Sequence, residues 1–195
     1  MKIYTKRGDT GMTDLFGGER VKKSNSRVKA YGEIDFANTV IGLAHSVASD
    51  PFIKEQLVRL MKLLFAAGAE IATAPKEKAQ ELLDRHLKNR INETHIEALE
   101  QGIDEMETKL SPLKSFILPT GTVSAAHLHF ARNVVRKAEI ALIELVDAGE
   151  VIRPEMIKFI NRLSDYLFVM ARLANALSRV DEIEWSGKLT DDGGA

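Results

Sequence analysis

From Gly32 to about residue 180 the apolar side chains recur at three- and four-residue intervals, and before Gly32 they follow no such rhythm. That contrast divides the chain into an irregular start and a long run of helices. Residues 33–49 carry Ile34, Val40, Ile41, Leu43 and Ala44 at helical spacing. Asp50-Pro51 ends that helix and opens the next, because proline suits a first helical turn. The second helix holds Leu57, Leu60, Met61, Leu64 and Phe65 and runs out near Thr73-Ala74-Pro75. Residues 76–90 are rich in charge, with Leu82, Leu83 and Leu87 as their apolar content, and read as a short surface helix or a mobile loop. Asn92 is placed to cap a helix through Ile96, Leu99, Ile103 and Met106. Phe116 to Thr122 reads as a stiff loop. Two long helices follow at about 123–148 and 154–179, parted by Asp147-Ala148-Gly149-Glu150 and Pro154. The tail from Trp185 to Ala195 reads as frayed. The pattern predicts an all-α protein, a helical bundle of about five main helices. It forms one domain, with a flexible Gly/Lys/Thr-rich arm over residues 1–32, the bundle over 33–180 and a tail over 181–195.

The arm is the least ordinary part of the chain. It runs Tyr4-Thr5-Lys6-Arg7-Gly8-Asp9-Thr10-Gly11-Met12-Thr13, then Phe16-Gly17-Gly18 and the basic pair Lys22-Lys23. Glycines let backbone N–H groups turn inward, and lysine and threonine add donors, so the segment is a candidate phosphate cradle. Taken alone it also reads as a solvated N-terminal arm.

Composition narrows the function classes. A net charge of −1 argues against broad nucleic-acid or anionic-membrane binding. The chain has no cysteine, which excludes disulfides, thiolate metal sites and thiol nucleophiles. No apolar run reaches the roughly 20 residues of a membrane helix. The charged start does not read as a secretory signal, and the protein reads as cytoplasmic.

Two helices carry chemistry. On residues 128–146, Leu128, Ala131, Val134, Val135, Ala138, Leu142 and Leu145 fill a core-facing arc, and His129, Arg132, Arg136 and Glu139 lie along the other side. Arg132 and Arg136 are one turn apart, and like charges at that spacing repel unless an anion sits over them. Ile140 and Ile143 share the polar arc, which suggests a covered face. The last helix is apolar nearly all round, with a narrow stripe of Asn161, Ser164, Asp165, Arg172 and Asn175. That stripe reads either as an internal hydrogen-bond network or as part of a site, with Asp35 and Asn38 as expected partners. There is no G-x-x-x-x-G-K-[ST] loop, no legible Ser-His-Asp arrangement and no H-x-x-x-H spacing.

Five segments in order resemble the PduO-type ATP:cob(I)alamin adenosyltransferases. They are Tyr4-Thr5-Lys6-x-Gly8-Asp9-x-Gly11-x-Thr13; Arg27-Val28-x-Ala30-Tyr31-Gly32-x-Ile34-Asp35-x-x-Asn38; Leu64-Phe65-x-x-Gly68-x-Glu70-Ile71-Ala72-Thr73; Phe116-Ile117-Leu118-Pro119-x-Gly121-Thr122; and Leu128-His129-x-Ala131-Arg132-x-x-x-Arg136-x-Ala138-Glu139 with Asn161-Arg162-Leu163-Ser164-Asp165 behind it. The chain departs from the family pattern at Phe36, Thr120, Lys137 and Ile140.

The resemblance implies transfer of the 5′-deoxyadenosyl group of ATP to Co(I) of cobalamin or another corrinoid, with release of triphosphate and with Mg²⁺ assisting. It implies a homotrimer with sites between subunits. It also implies a flavin-type reductase and an adenosylcobalamin-dependent enzyme as protein partners. By position, Thr5, Lys6, Gly8, Asp9, Gly11, Thr13, Lys23, Arg136, Lys137, Glu139 and Asn161 would line ATP. Phe116 would keep the lower face of cobalt free of a ligand, Asp35 and Arg132 would pair, and Asp165 would complete the corrinoid side. The metal ligands are left unknown. The alternative on the same fold is a non-catalytic nucleotide- and corrinoid-binding protein that delivers adenosylcobalamin.

Overall fold

The computed structural model describes residues 2–88 and 90–187. Six helices follow a short hairpin: β1 (Met12–Asp14), β2 (Arg20–Lys22), α1 (Ser26–Val47), α2 (Pro51–Ile71), α3 (Glu77–His86), α4 (Glu93–Glu107), α5 (Val123–Asp147) and α6 (Pro154–Leu177). Side-chain caps start several of them where the sequence placed polar residues. Asn25 accepts from the Arg27 amide at 2.8 Å, Asp50 from Ile53 at 3.0 Å, and Thr122 from Ala125 at 3.0 Å. Asn92 and His95 form a reciprocal capping box at the head of α4. Pro51 and Pro154 each open a helix.

Neighbouring helices run in the order α2, α1, α5, α6, α4, so α1 meets α2 and α5, while α6 meets α5 and α4 and also touches α2. Phe159, Leu128, Ile41 and Leu57 lie in the single large core between them. Among the described residues no helix is long and apolar enough to cross a membrane.

Two expectations change, and one open alternative is decided. The first bundle helix begins at Ser26 rather than near residue 33, because Asn25 supplies an N-cap. The charge-rich stretch after Pro75 is a helix, α3, whose Ala79 and Leu83 are buried. The arm is not irregular throughout. Met12 pairs with Lys22, Thr13 with Val21 and Asp14 with Arg20 in an antiparallel hairpin. Phe16 then bridges to the end of α2: its amide donates to the Ala72 carbonyl, and its carbonyl accepts from Ala74, both at 2.9 Å. Leu15, Ala74 and Ala79 form a small second core beneath it. Of the expected frayed tail, residues 188–195 lie outside the described residues. Trp185, by contrast, is bonded to the loop before α5, where its amide donates to the Phe116 carbonyl at 2.7 Å.

Candidate functional site

The arm upstream of the hairpin is a tight turn. The Asp9 amide reaches the Lys6 carbonyl at 3.4 Å, Gly11 reaches Gly8 at 3.1 Å, and Lys23 returns to the Gly11 carbonyl at 2.8 Å. Lys6 holds φ at +59°, a left-handed conformation that a non-glycine residue adopts at a cost and that gathers at functional turns. A side chain at Gly8 would come within 3.1 Å of the Lys23 ammonium, so the glycine leaves the space in which that cation lies across the turn. Thr5, Lys6, Gly8, Asp9 and Gly11 lie on this turn, with Thr13 on β1 and Lys23 just beyond β2.

A second group of residues sits on the seam of α5 and α6. Asn161 Nδ2 donates to Glu139 Oε1 at 2.8 Å. Arg132 rests on the face of Phe168, with its guanidinium carbon 5.4 Å from the ring centroid. Among the described residues neither Arg132 nor Arg136 has an ion-pair or hydrogen-bond partner. Burial lowers the Arg132 pKa from its usual value, Arg136 lowers it further, and Asp165 opposes both. Two unpaired guanidinium groups one turn apart, beside a Glu–Asn pair, form a position suited to a multiply charged anion.

A third group lines a groove of about 300 Å³ between α1 and α2, where Tyr31, Asp35, Asn38, Leu64, Phe65 and Gly68 meet. Asp35 is exposed there, and the buried Asn38 Oδ1 has no partner. The groove combines a broad apolar wall with two amide or carboxylate groups, which suits a large, mostly apolar ligand with polar edges.

Within one chain the groove and the seam lie on different helix pairs, while the hairpin that carries the arm borders the groove, where Phe16 bonds to Ala72 and Leu15 packs near Tyr31. The α1–α5 layer separates the α1/α2 groove from the α5/α6 seam. No Asp35–Arg132 ion pair forms inside the chain. Asp165 pairs instead with Arg162 at 3.1 Å. Lys137 turns to the other side of α5 and pairs with Glu33 of α1 at 2.9 Å, away from Asn161. The last helix's polar stripe also splits. Asn161 and Asp165 are exposed, whereas Ser164, Arg172 and Asn175 are buried. Their partners are not Asp35 or Asn38: Arg172 pairs with Glu182, and Asn175 with the backbone at Thr120 and Thr122. His129, expected on the polar side, is buried against Phe168, and burial lowers its pKa, aided by Arg132 and opposed by Glu182. Ile140 and Ile143 are exposed in the single chain, at 60% and 39%.

Phe116 stands apart from the core, with 83% of its surface exposed on the loop before α5. Gly121 closes that loop at φ +125°, where an added Cβ would lie 2.1 Å from Asn175 Oδ1. The strand-like segment that supports Phe116 was not foreseen. Its signal was the short alternation Glu182-Ile183-Glu184-Trp185, which fits a strand better than a frayed tail. The packing of Arg132 on Phe168 was likewise unforeseen, since the two lie 36 positions apart on different helices.

The family model described as cobalamin adenosyltransferase matches residues 3–174. A corrinoid adenosyltransferase of Citrobacter freundii is 40% identical over 172 residues, covering 88% of this chain and 94% of its own. The corrinoid adenosyltransferase PduO of Salmonella typhimurium is also 40% identical, over 173 residues, but this chain spans only 49% of its length. Among solved structures, a phenylalanine-to-histidine variant of the PduO-type ATP:corrinoid adenosyltransferase from Lactobacillus reuteri, complexed with cobalamin and ATP, superposes with a TM-score of 0.87 at 35% identity. That match covers 95% of this chain and 97% of the other. The arginine seam, the arm and the groove thus sit in a fold shared with proteins solved with ATP and cobalamin bound, and the chain belongs to the cobalamin adenosyltransferase family.

Proposed function

We propose that this protein transfers the 5′-deoxyadenosyl group of ATP to Co(I) of cobalamin or a related corrinoid. The cobalt–carbon bond forms at C5′ as the C5′–O bond breaks, and triphosphate leaves with the electron pair. Co(I) is itself a strong nucleophile, so the protein needs no nucleophilic side chain and its work is positioning and charge stabilisation. The observation that carries this reading is the pair of guanidinium groups of Arg132 and Arg136, one turn apart on α5 and, among the described residues, without an ion-pair or hydrogen-bond partner. Fixed cationic donors aimed at a leaving triphosphate act in the step where charge accumulates.

In this reading Thr5, Lys6, Gly8, Asp9, Gly11, Thr13 and Lys23 wrap the phosphates, and Arg136, Glu139 and Asn161 hold the other side of the nucleotide. Lys137, paired with Glu33, acts at longer range as part of the positive field. Asp35 and Asn38 face the corrinoid from the α1/α2 groove, and Asp165 faces it from the seam. Phe116 presents an apolar ring to the lower face of the corrin, where it excludes water and the corrinoid's own base.

Among the described residues no three carboxylate or histidine side chains converge on a metal position. In this reading Mg²⁺ would accompany the triphosphate and, when bound, would offset phosphate charge. The site assembles between copies. A head-to-tail ring of three chains sets the α1/α2 groove of one against the α5/α6 seam of the next, pairs Asp35 with Arg132 across the interface, and covers Ile140 and Ile143. We assign the reaction to the cytoplasm, where ATP is available.

The test is formation of adenosylcobalamin, followed by absorbance, from ATP, Mg²⁺ and chemically reduced cobalamin. Product at many turnovers per site supports an enzyme. Tight binding of both ligands with no product would assign delivery instead. Light scattering at micromolar concentration checks the trimer, and a fully active monomer would contradict the shared site.

A further inference from the structure

We infer that the ion pair between the buried Arg172 and the half-buried Glu182 is a positioning latch for Phe116, acting through the segment that follows α6. This rests on the reading that Phe116 faces cobalt. An exposed ring has no packing of its own to hold it, so its place depends on the backbone beneath it. That backbone is tied to one partner segment and to two α6 side chains.

At the centre of the loop, Ile117 bridges antiparallel to Glu184. The Trp185 amide donates to the Phe116 carbonyl at 2.7 Å, and the Leu118 amide donates to the Ile183 carbonyl at 2.8 Å. Ser115 Oγ adds a bond to Glu184 Oε2 at 2.9 Å. The residue that precedes this partner segment is Glu182. Arg172 grips it with both arms of the guanidinium, Nε to Oε1 at 2.8 Å and Nη2 to Oε2 at 3.0 Å. The same Nη2 donates to the Ser111 carbonyl at 2.8 Å, where the loop leaves α4. One guanidinium, only 4% exposed, therefore holds both the Phe116 loop and the segment paired with it. One turn further along α6, Asn175 fastens the far end of the loop, donating to the Thr120 carbonyl at 3.1 Å and accepting from the Thr122 amide at 2.9 Å.

A planar fork suits this task, because its bonds to a carboxylate fix direction as well as distance. Loss of the Glu182 charge leaves a buried guanidinium short of partners and frees the segment. Phe116 then loses its fixed height against the corrin, and small displacements of a positioning group carry large rate penalties. The predicted damage falls on the route that starts from Co(II), where the ring must exclude an axial ligand, and not on alkyl transfer to pre-reduced Co(I).

The test uses the full chain with Glu182→Gln and Trp185→Pro. Glu182→Gln keeps the volume. Trp185→Pro removes the amide donated to Phe116, with Trp185→Ala as the control that keeps it. Arg172→Ala is avoided as the primary variant because it risks unfolding. Hydrogen exchange at Leu118 reads the latch without any ligand. Magnetic circular dichroism of Co(II)alamin with ATP reads the four-coordinate fraction. We expect faster exchange at Leu118 and a roughly 10- to 10²-fold slower Co(II) route in both variants, with the Co(I) route within about twofold of wild type. Equal losses on both routes, or an opened latch with an unchanged four-coordinate signal, would overturn the inference. Glu182→Gln with undisturbed exchange at Leu118 would overturn it too. Wild-type enzyme that makes adenosylcobalamin with no four-coordinate Co(II) would instead remove the role of Phe116 itself, and the latch's function with it.

Discussion

Arg136→Ala has opposite expected effects on stability and on activity. Arg136 is exposed and, among the described residues, has no partner, while its neighbour Arg132 is partly buried one turn away. Their repulsion already shows in the lowered Arg132 pKa, behind the larger effect of burial. Like charges at this spacing cost a helix about 0.2–0.5 kcal/mol, so truncation returns that amount rather than removing a contact. For a domain of this length 1 kcal/mol corresponds to roughly 2–4 °C, and the melting temperature without ligands should stay level or rise by about 1 °C. Activity should move the other way. Loss of one preorganised donor to a developing anion lowers turnover by about 10²-fold or more, which is about 2.7 kcal/mol. Arg136→Lys should recover part of this, because it restores charge without the two-pronged geometry. The assay pairs thermal unfolding by circular dichroism with kcat/KM for ATP. A folded variant with near-normal turnover, or a melting temperature several degrees lower, would show that the arginine pair is structural.

Phe116→Ala should change stability by less than about 0.5 kcal/mol, since the ring is 83% exposed, whereas a buried phenylalanine would cost about 3–5 kcal/mol. Its Co(II)-dependent rate should fall more than its Co(I) rate, and parallel losses of both rates and of stability would make the residue a core anchor. Gly121→Ala places a Cβ against Asn175 at a backbone angle that L-residues avoid, so denaturant titration should show a loss of about 2–4 kcal/mol; an unchanged midpoint would contradict the loop geometry. His129 has its folded pKa lowered from 6.5, chiefly by burial. Its stabilising contribution is therefore complete above the unfolded pKa and erodes as pH falls through about 6.5 toward the lowered value. His129→Gln should flatten part of the fall in melting temperature between about pH 7 and 5, with His95, lowered in the same direction, retaining its share; an identical slope would place the titration elsewhere.

The bundle was legible because helical periodicity and capping residues are local signals. Asp50-Pro51, Asn92 and Thr122 mark their helix starts in sequence and in structure alike. The hairpin was hidden because each strand has only three residues, too short for alternation to show. Asn25 is a sound N-cap, but the glycine at 32 makes the sequence boundary look later. The site residues were visible as types at particular spacings, but their grouping was not. Lys137 reads like a neighbour of Arg136 in sequence, yet 100° of helix rotation turns it toward Glu33. Arg172 and Asn175 read as members of one polar stripe with Asn161, whereas depth separates them into buried ties and an exposed face. Their true partners, Glu182 just beyond the end of α6 and the distant loop at Thr120 and Thr122, carry no periodic signature.

The central claim is that the arginine seam, the arm and the α1/α2 groove together join adenosine to cobalt. Single-turnover reaction of the purified protein with Mg·ATP and cob(I)alamin, monitored by absorbance with triphosphate quantified in the same sample, tests it most directly. Adenosylcobalamin and triphosphate should form in equal amounts. Product absent from a folded protein that binds both ligands, or phosphate and diphosphate in place of triphosphate, would contradict it.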